Sequence, residues 1–400
     1  MTGAWWQAPV VLRFGVGTVA DVGGATVPMG RRVVLVTDER LDVAPPVAAV
    51  SRSLAAAGAL VVRHVLPVGE PDPAVVAGLA DELRRTPADV VVAVGGGSVL
   101  DAAKLGVVGR RDPAAATLLG TPPDRTVLEL GPSPRGRPPR LVLVPTTHGT
   151  GAETSGVASM RAGGRKHLAV GSGLWADVAV VDPALAVRLP LDALRAGALE
   201  TWCRAFSLFA SRPVAGTTPS VSDAYAVAAG RSVVAAVDAL DQHPAGVDVH
   251  VELAATASTT ALGWTGLGRD PHGARLWQAQ NELSALAGLP KSTALPALVA
   301  AYVAVGTERD STLGVAERIA DFVDDTLPGH GPVVDRLRAW LSGLGTPTSA
   351  AGLVAPDLAA RVIDRVAEAW AANGAEPRAA ADDAVRMLEA AGITTESPSA

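Results

Sequence analysis

Short, continuous apolar runs alternate with Ala-rich amphipathic stretches through the first half of the chain. Val33–Thr37, Ala59–Val65, Val90–Val94, Leu141–Val144 and Val178–Val181 are rich in β-branched residues, which suits strands covered on both faces. Between them, 43–57, Pro73–Arg85 and Ser98–Val108 follow helical spacing. Strands alternating with helices predict a parallel, doubly wound sheet, and such sheets bind ligands at the carboxyl ends of their strands. From Leu191 onward the period is helical throughout, over 191–211, 220–240, 251–262, 273–287, 293–305, 311–326, 333–341, 355–372 and 378–391. The expected organisation is an α/β domain over 1–186 followed by an all-helical domain over 187–400. The Pro-, Gly- and Arg-rich segment 110–140 reads as a long surface excursion, and the polar end, 394–400, as frayed.

Composition narrows the class. Of 400 residues, 48% are apolar and only 18% charged, which excludes a disordered chain. A net charge of −6 without a Lys/Arg run excludes nucleic acid as a partner. Cys203 is the sole cysteine, so intramolecular disulfides and CxxC-type metal sites are ruled out and a reducing compartment fits. Neither a signal segment at Met1–Val10 nor a stretch long enough to span a bilayer is present, so a cytoplasmic protein without a membrane partner is expected.

The chemistry concentrates in two loops. Gly95-Gly96-Gly97-Ser98 closes a buried strand and opens a helix. Glycines let a ligand approach the backbone, and the free N–H groups of a new helix attract phosphate. A plain Gly-rich turn has the same composition, and Asp101 and Lys104 could equally form a solvated helix face. The second loop, Pro145 to Ser155, follows the next core strand with Thr146, Thr147, His148, Gly149 and Thr150, and would line the same crevice. The glycine turn favours a pyrophosphate, and the two loops converge on it.

With both loops in view, the chain resembles the iron-containing alcohol dehydrogenase superfamily, which includes glycerol dehydrogenases and, more distantly, dehydroquinate-synthase-type sugar phosphate cyclases. The resemblance rests on Gly95–Lys104, Pro145–Glu153, Lys166, and Ala176–Pro183 leading to Leu189-Pro190. It implies a dinucleotide-binding first domain and an active site between the two domains, with Gly95, Gly96, Gly97 and Ser98 holding pyrophosphate. Asp101, Thr146, Thr147, Thr150 and Lys166 would line the nicotinamide end. Asp38 would face the adenosine ribose, where a carboxylate favours NAD over NADP.

The same resemblance places the family's metal ligands, an Asp and three His, at Leu199, Cys203, Trp277 and Lys291, and a further His at Asn281. Leucine, tryptophan and a protonated lysine do not ligate iron or zinc, so no metal is expected. His272, one residue out of register, and Glu200, which resembles a cyclase ligand, remain as scattered donors; a salt bridge to Arg204 is the simpler role for Glu200. Lys291, Arg204, His148 and His167 are the candidates to replace the Lewis acid with charge or a proton. Each has an ordinary reading as a surface or ion-paired residue. Positive groups suit an anionic hydroxy acid or a peptide carboxyl end, including the C-terminal threonine taken by the daptide-type peptide dehydrogenases. The alternatives are a sugar phosphate cyclase-like enzyme and a catalytically silent NAD-binding partner protein. A small-molecule or peptide substrate is the expected partner, and a homodimer stays open.

Overall fold

The computed structural model describes residues 7–132, 138–214, 220–270 and 272–394, so all of the expected frayed end but Thr394 lies outside the described residues. Its strands are β1 (Val11–Phe14), β2 (Arg32–Asp38), β3 (Leu60–Leu66), β4 (Val90–Gly95), β5 (Val127–Glu129), β6 (Arg140–Pro145), β7 (Val157–Ala162), β8 (Arg165–Val170) and β9 (Val178–Val181). Six of them form a parallel sheet in the order β1-β9-β6-β4-β2-β3. Successive residues of β4 point to opposite faces, and both faces are apolar. Val90, Val92 and Val94 pack with Leu35 and Val142 on one side, while Val91 and Ala93 pack with Val34 and Leu143 on the other. Two covered faces explain why these strands are unbroken apolar runs.

Helices α1 (Val22–Thr26), α2 (Pro45–Ala56), α3 (Pro73–Arg85), α4 (Gly97–Arg111) and α5 (Pro113–Gly120) accompany the sheets. Asp72 caps α3 by accepting the Val75 N–H at 2.8 Å, with Pro73 fixing the first turn. The segment 110–140 is more ordered than its composition suggests. It finishes α4, forms α5 and supplies β5 to a second sheet, β5-β8-β7, although 133–137 lie outside the described residues. Asp112 caps α5 at Ala114 and buried Leu119 anchors it, so its polar residues serve as helix ends.

The C-terminal half is helical: α6 (Leu191–Ala210), α7 (Ser220–Gln242), α8 (Val247–Ala261), α9 (Arg275–Ala287), α10 (Lys291–Gly306), α11 (Ala316–Thr326), α12 (Val333–Gly343), α13 (Pro356–Ala372) and α14 (Pro377–Ala390). Trp202 on α6 stacks on Phe206 with ring centroids 5.3 Å apart and donates its indole N–H to Thr326 at 3.1 Å. A buried carboxylate joins the two halves. Glu282 on α9 accepts from Arg165 Nη1 (2.9 Å) and Thr126 Oγ1 (2.9 Å) on the small-sheet side, and from Arg365 Nη2 (2.6 Å) on α13. No described helix is long and apolar enough to cross a membrane.

Candidate active site

The order in which strands are added reverses between the parallel neighbours β2 and β4, and their carboxyl ends form the crevice where a doubly wound sheet binds its ligand. Asp38 ends β2 and Gly95 ends β4. Gly96 caps α4 without a side chain, so the first N–H groups of that helix point into the crevice without an intrahelical partner. A Cβ on Gly97 would lie 2.8 Å from Thr150 Cγ2, and one on Gly96 would touch Thr147 at 3.4 Å. The two loops therefore interlock, and bare backbone at these positions is what lets them do so. Thr146 is buried, its N–H donating to the Gly95 carbonyl at 3.0 Å.

Ser98 lines two cavities. One, of about 180 Å³, runs along Leu66 to Val75; Leu66 sits opposite Asp38 in the sheet. The other is the main cleft, about 840 Å³, between the sheet and the helical half. A helix N-terminus between a small cavity and a large one fits an extended dinucleotide. Asp38 already accepts the Leu41 N–H through Oδ1 at 3.0 Å, which holds its carboxylate at the end of β2.

The main cleft gathers Gly97, Ser98, Asp101, His148, Thr150, Lys166, Arg204 and Lys291 from the residues singled out in the sequence. Gly95, Gly96, Thr146 and Thr147 stand behind its wall, and Asp38 lies at the strand end beyond it. His167 does not line the cleft. Its ring nitrogens lie 2.8 Å from the Arg125 carbonyl and 3.3 Å from that of Ala162, so it staples β8 to its surroundings. Asp101 accepts the Ser159 N–H and hydroxyl, each at 2.9 Å, and its burial raises its pKa. Lys104 is wholly buried and donates to the Ser155 and Val157 carbonyls at 2.9 Å, tying α4 to β7.

The cations differ in what holds them. Lys166 is paired with Glu70, which also binds Arg161 at 2.5 Å; burial alone would raise the Glu70 pKa, but the two cations bring it below the usual range. Arg204 grips the second loop from α6, donating to the carbonyls of Gly149 (2.5 Å) and Thr150 (2.7 Å) and approaching Glu200 at 3.4 Å. Lys291 opens α10. Its ammonium lies 2.6 Å from Glu200 and 4.5 Å from the centre of the Trp277 ring. Burial lowers the Lys291 pKa more than Glu200 restores it. Glu200 is thus shared by two cations, and buried Glu153 also acts on Arg204.

Glu70 and His250 were not foreseen. Glu70 had a signal, since Gly69-Glu70-Pro71 follows a strand at its ligand-binding end. His250 had none, lying inside α8.

The positions at which the family's metal ligands are expected do not make a cation site. Leu199 is buried and apolar, Trp277 presents its ring to Lys291, and burial raises the Cys203 thiol above its ordinary value. The one carboxylate, Glu200, already holds two cations. His272 lies outside the cleft lining, with its N–H on Asp270 Oδ1 at 2.9 Å. Among the described residues, no three His, Cys, Asp or Glu side chains converge as a ligand set.

The sequence profile described as iron-containing alcohol dehydrogenase matches residues 9–183. The probable alcohol dehydrogenase EutG of Escherichia coli is 31% identical over 236 residues, 58% of this chain and 57% of that protein. The phosphonoacetaldehyde reductase of Streptomyces viridochromogenes is 40% identical over 144 residues, 34% of each chain. The chain thus matches little more than half the length of these curated relatives at best. The crystal structure of sulfoacetaldehyde reductase from Bifidobacterium kashiwanohense in complex with NAD+ superposes with a TM-score of 0.76, covering 98% of this chain and 99% of that one at 20% identity, a likeness of fold.

Proposed function

Because residues 9–183 place this chain in the iron-containing alcohol dehydrogenase family, we propose that it is an NAD-linked oxidoreductase that oxidises the alcohol of an anionic substrate without a divalent metal. The observation that carries the reading is the Lys291 ammonium, held by Glu200 and the Trp277 face where the family's last ligand is expected. NAD, when bound, supplies the hydride acceptor. Gly96, Gly97 and Ser98 hold its pyrophosphate, and Asp38 favours the unphosphorylated ribose. Lys291 donates a hydrogen bond to the substrate oxygen as negative charge grows on it, the electrostatic task a Lewis acid performs in a metal enzyme. The same ammonium would also attract a carboxylate on the substrate. Two relatives are named for anionic aldehydes, phosphonoacetaldehyde and sulfoacetaldehyde, and the latter's structure holds NAD+, which supports both parts of the reading. A β-hydroxy acid, such as a peptide's C-terminal threonine, would yield a β-keto acid that loses carbon dioxide without metal assistance.

The test compares N-acetyl-L-threonine with its neutral N-methylamide as substrates for NADH formation, with and without a chelator. The acid should be preferred by at least about tenfold in kcat/KM, roughly 1.4 kcal/mol. Chelation should change nothing, and purified protein should hold far less than one equivalent of iron or zinc. Equal use of the two compounds would refute the anionic substrate. Stoichiometric metal with chelator-sensitive turnover would restore a Lewis-acid mechanism.

A further inference from the structure

His148 lines the cleft with a second imidazole behind it. His250, buried on α8, places Nδ1 3.3 Å from His148 Nε2, with the ring centroids 5.5 Å apart. The other His250 nitrogen, Nε2, lies 3.0 Å from the Pro244 carbonyl oxygen. A carbonyl only accepts, so His250 Nε2 carries the hydrogen. No ion pair to His250 is seen among the described residues and an unpaired charge so deeply buried is disfavoured, so with Nε2 carrying its hydrogen Nδ1 is left as a lone pair. The hydrogen between the rings then belongs to His148 Nε2. Burial lowers the His148 pKa to about 3, so this ring is neutral and its remaining nitrogen, Nδ1, is an acceptor.

The cleft needs such a group. Lysine and arginine only donate, whereas an alcohol has a hydrogen of its own to place. Of the carboxylates lining the cleft, Glu70 and Glu200 are occupied by ion pairs, Asp101 accepts from Ser159 and Asp192 from the Ala193 N–H. The loop bearing His148 lies directly on α6 at Gly197, where a Cβ would meet the His148 carbonyl oxygen at 2.2 Å. Gly197 precedes Glu200 by three residues, about 4.5 Å of helix rise.

We propose that His148 Nδ1 accepts the hydroxyl hydrogen of the bound alcohol while Lys291 donates to the same oxygen, and that His250 is a positioning residue that fixes the required tautomer. The proposal rests on the NAD-linked alcohol reading above and deepens it. The hydroxyl is then held on both sides.

The full-length protein labelled with 15N-histidine tests this by long-range proton–nitrogen spectra, with His148→Gln to assign the ring. In the free protein His148 should show a protonated Nε2 and a bare Nδ1. With NAD present, trifluoroethanol, a poorly oxidised alcohol, should shift the Nδ1 line towards its hydrogen-bonded position. His250→Phe should leave His148 as a tautomer mixture and shrink that shift. His250→Gln, which can donate to Pro244 and accept from His148, should restore both. A protonated Nδ1 in the free protein, or a line the alcohol does not move, would overturn the proposal. Failure of NAD alone to bind would overturn the underlying reading as well, and is distinguished because the tautomer is read before any ligand is added.

Discussion

Replacing Lys291 with methionine removes the ammonium while keeping most of the side chain's length. A unit charge about 3.5 Å from a developing oxyanion contributes roughly 5 kcal/mol at an effective dielectric constant of about 20. Glu200, 2.6 Å from that ammonium, opposes the effect at longer range and offsets about half of it. Glu200 stays in this variant, so the loss is the full contribution of the ammonium, about 5 kcal/mol or on the order of 10³- to 10⁴-fold in kcat. Methionine also leaves Glu200 buried with Arg204 alone, at 3.4 Å, which costs about 1–3 kcal/mol of stability. Lys291→Met combined with Glu200→Gln separates the two effects, since it leaves no lone buried carboxylate. The melting temperature should recover in the double variant, whereas turnover of N-acetyl-L-threonine should regain only the half that Glu200 opposed and remain roughly 30- to 150-fold below wild type. The pH profile supplies a second reading. The ammonium is the working form, so activity is lost as pH rises through the Lys291 pKa, and its lowered value moves that loss below where an ordinary lysine would put it. A folded Lys291→Met enzyme with wild-type kcat and an unchanged alkaline limb would refute the assignment.

Gly97→Val should weaken NAD binding by at least about tenfold, measured by quenching of tryptophan fluorescence, because even a Cβ there lies 2.8 Å from Thr150 Cγ2 and displaces the second loop. Asp38→Ser keeps an acceptor for the Leu41 N–H but removes the charge, and should raise the NADP to NAD affinity ratio; an unchanged ratio would place that carboxylate away from the ribose. Glu282→Gln should cost about 3–5 kcal/mol in chemical denaturation, since Arg165 and Arg365 lose their shared buried partner, and a loss below about 1 kcal/mol would mean that water already screens the cluster.

How much of this was legible in the sequence depended on whether a residue's role is local or assembled. The strand runs and the Gly95–Ser98 turn were readable because both faces of β4 are covered and because a helix must start where the strand ends. The hairpin of β7 and β8 escaped notice although Gly163-Gly164, with φ of 58° and 72°, is the pair a two-residue turn demands; its strands mix polar and small residues and have no apolar run longer than Leu168–Val170. Edge strand β1 is largely exposed and leaves equally little pattern. At the site, counting from Leu189-Pro190 and Gly197 was enough to find Leu199 and Cys203, and counting from Leu289-Pro290 to find Lys291, where ligands are expected, because helix register is a local property. What register cannot give is partnership. Glu200 and Lys291 lie 91 positions apart and His148 and His250 lie 102 apart, so which acid holds the lysine and which imidazole backs the loop are decided by how α6, α8 and α10 pack. The same packing sorts the four candidate cations. His167 is taken up between backbone carbonyls and Arg204 by the loop it clamps, while a neutral His148 is an acceptor instead of a charge. Only Lys291, aimed into the cleft and held by a carboxylate it shares with Arg204, keeps an ammonium for a substrate.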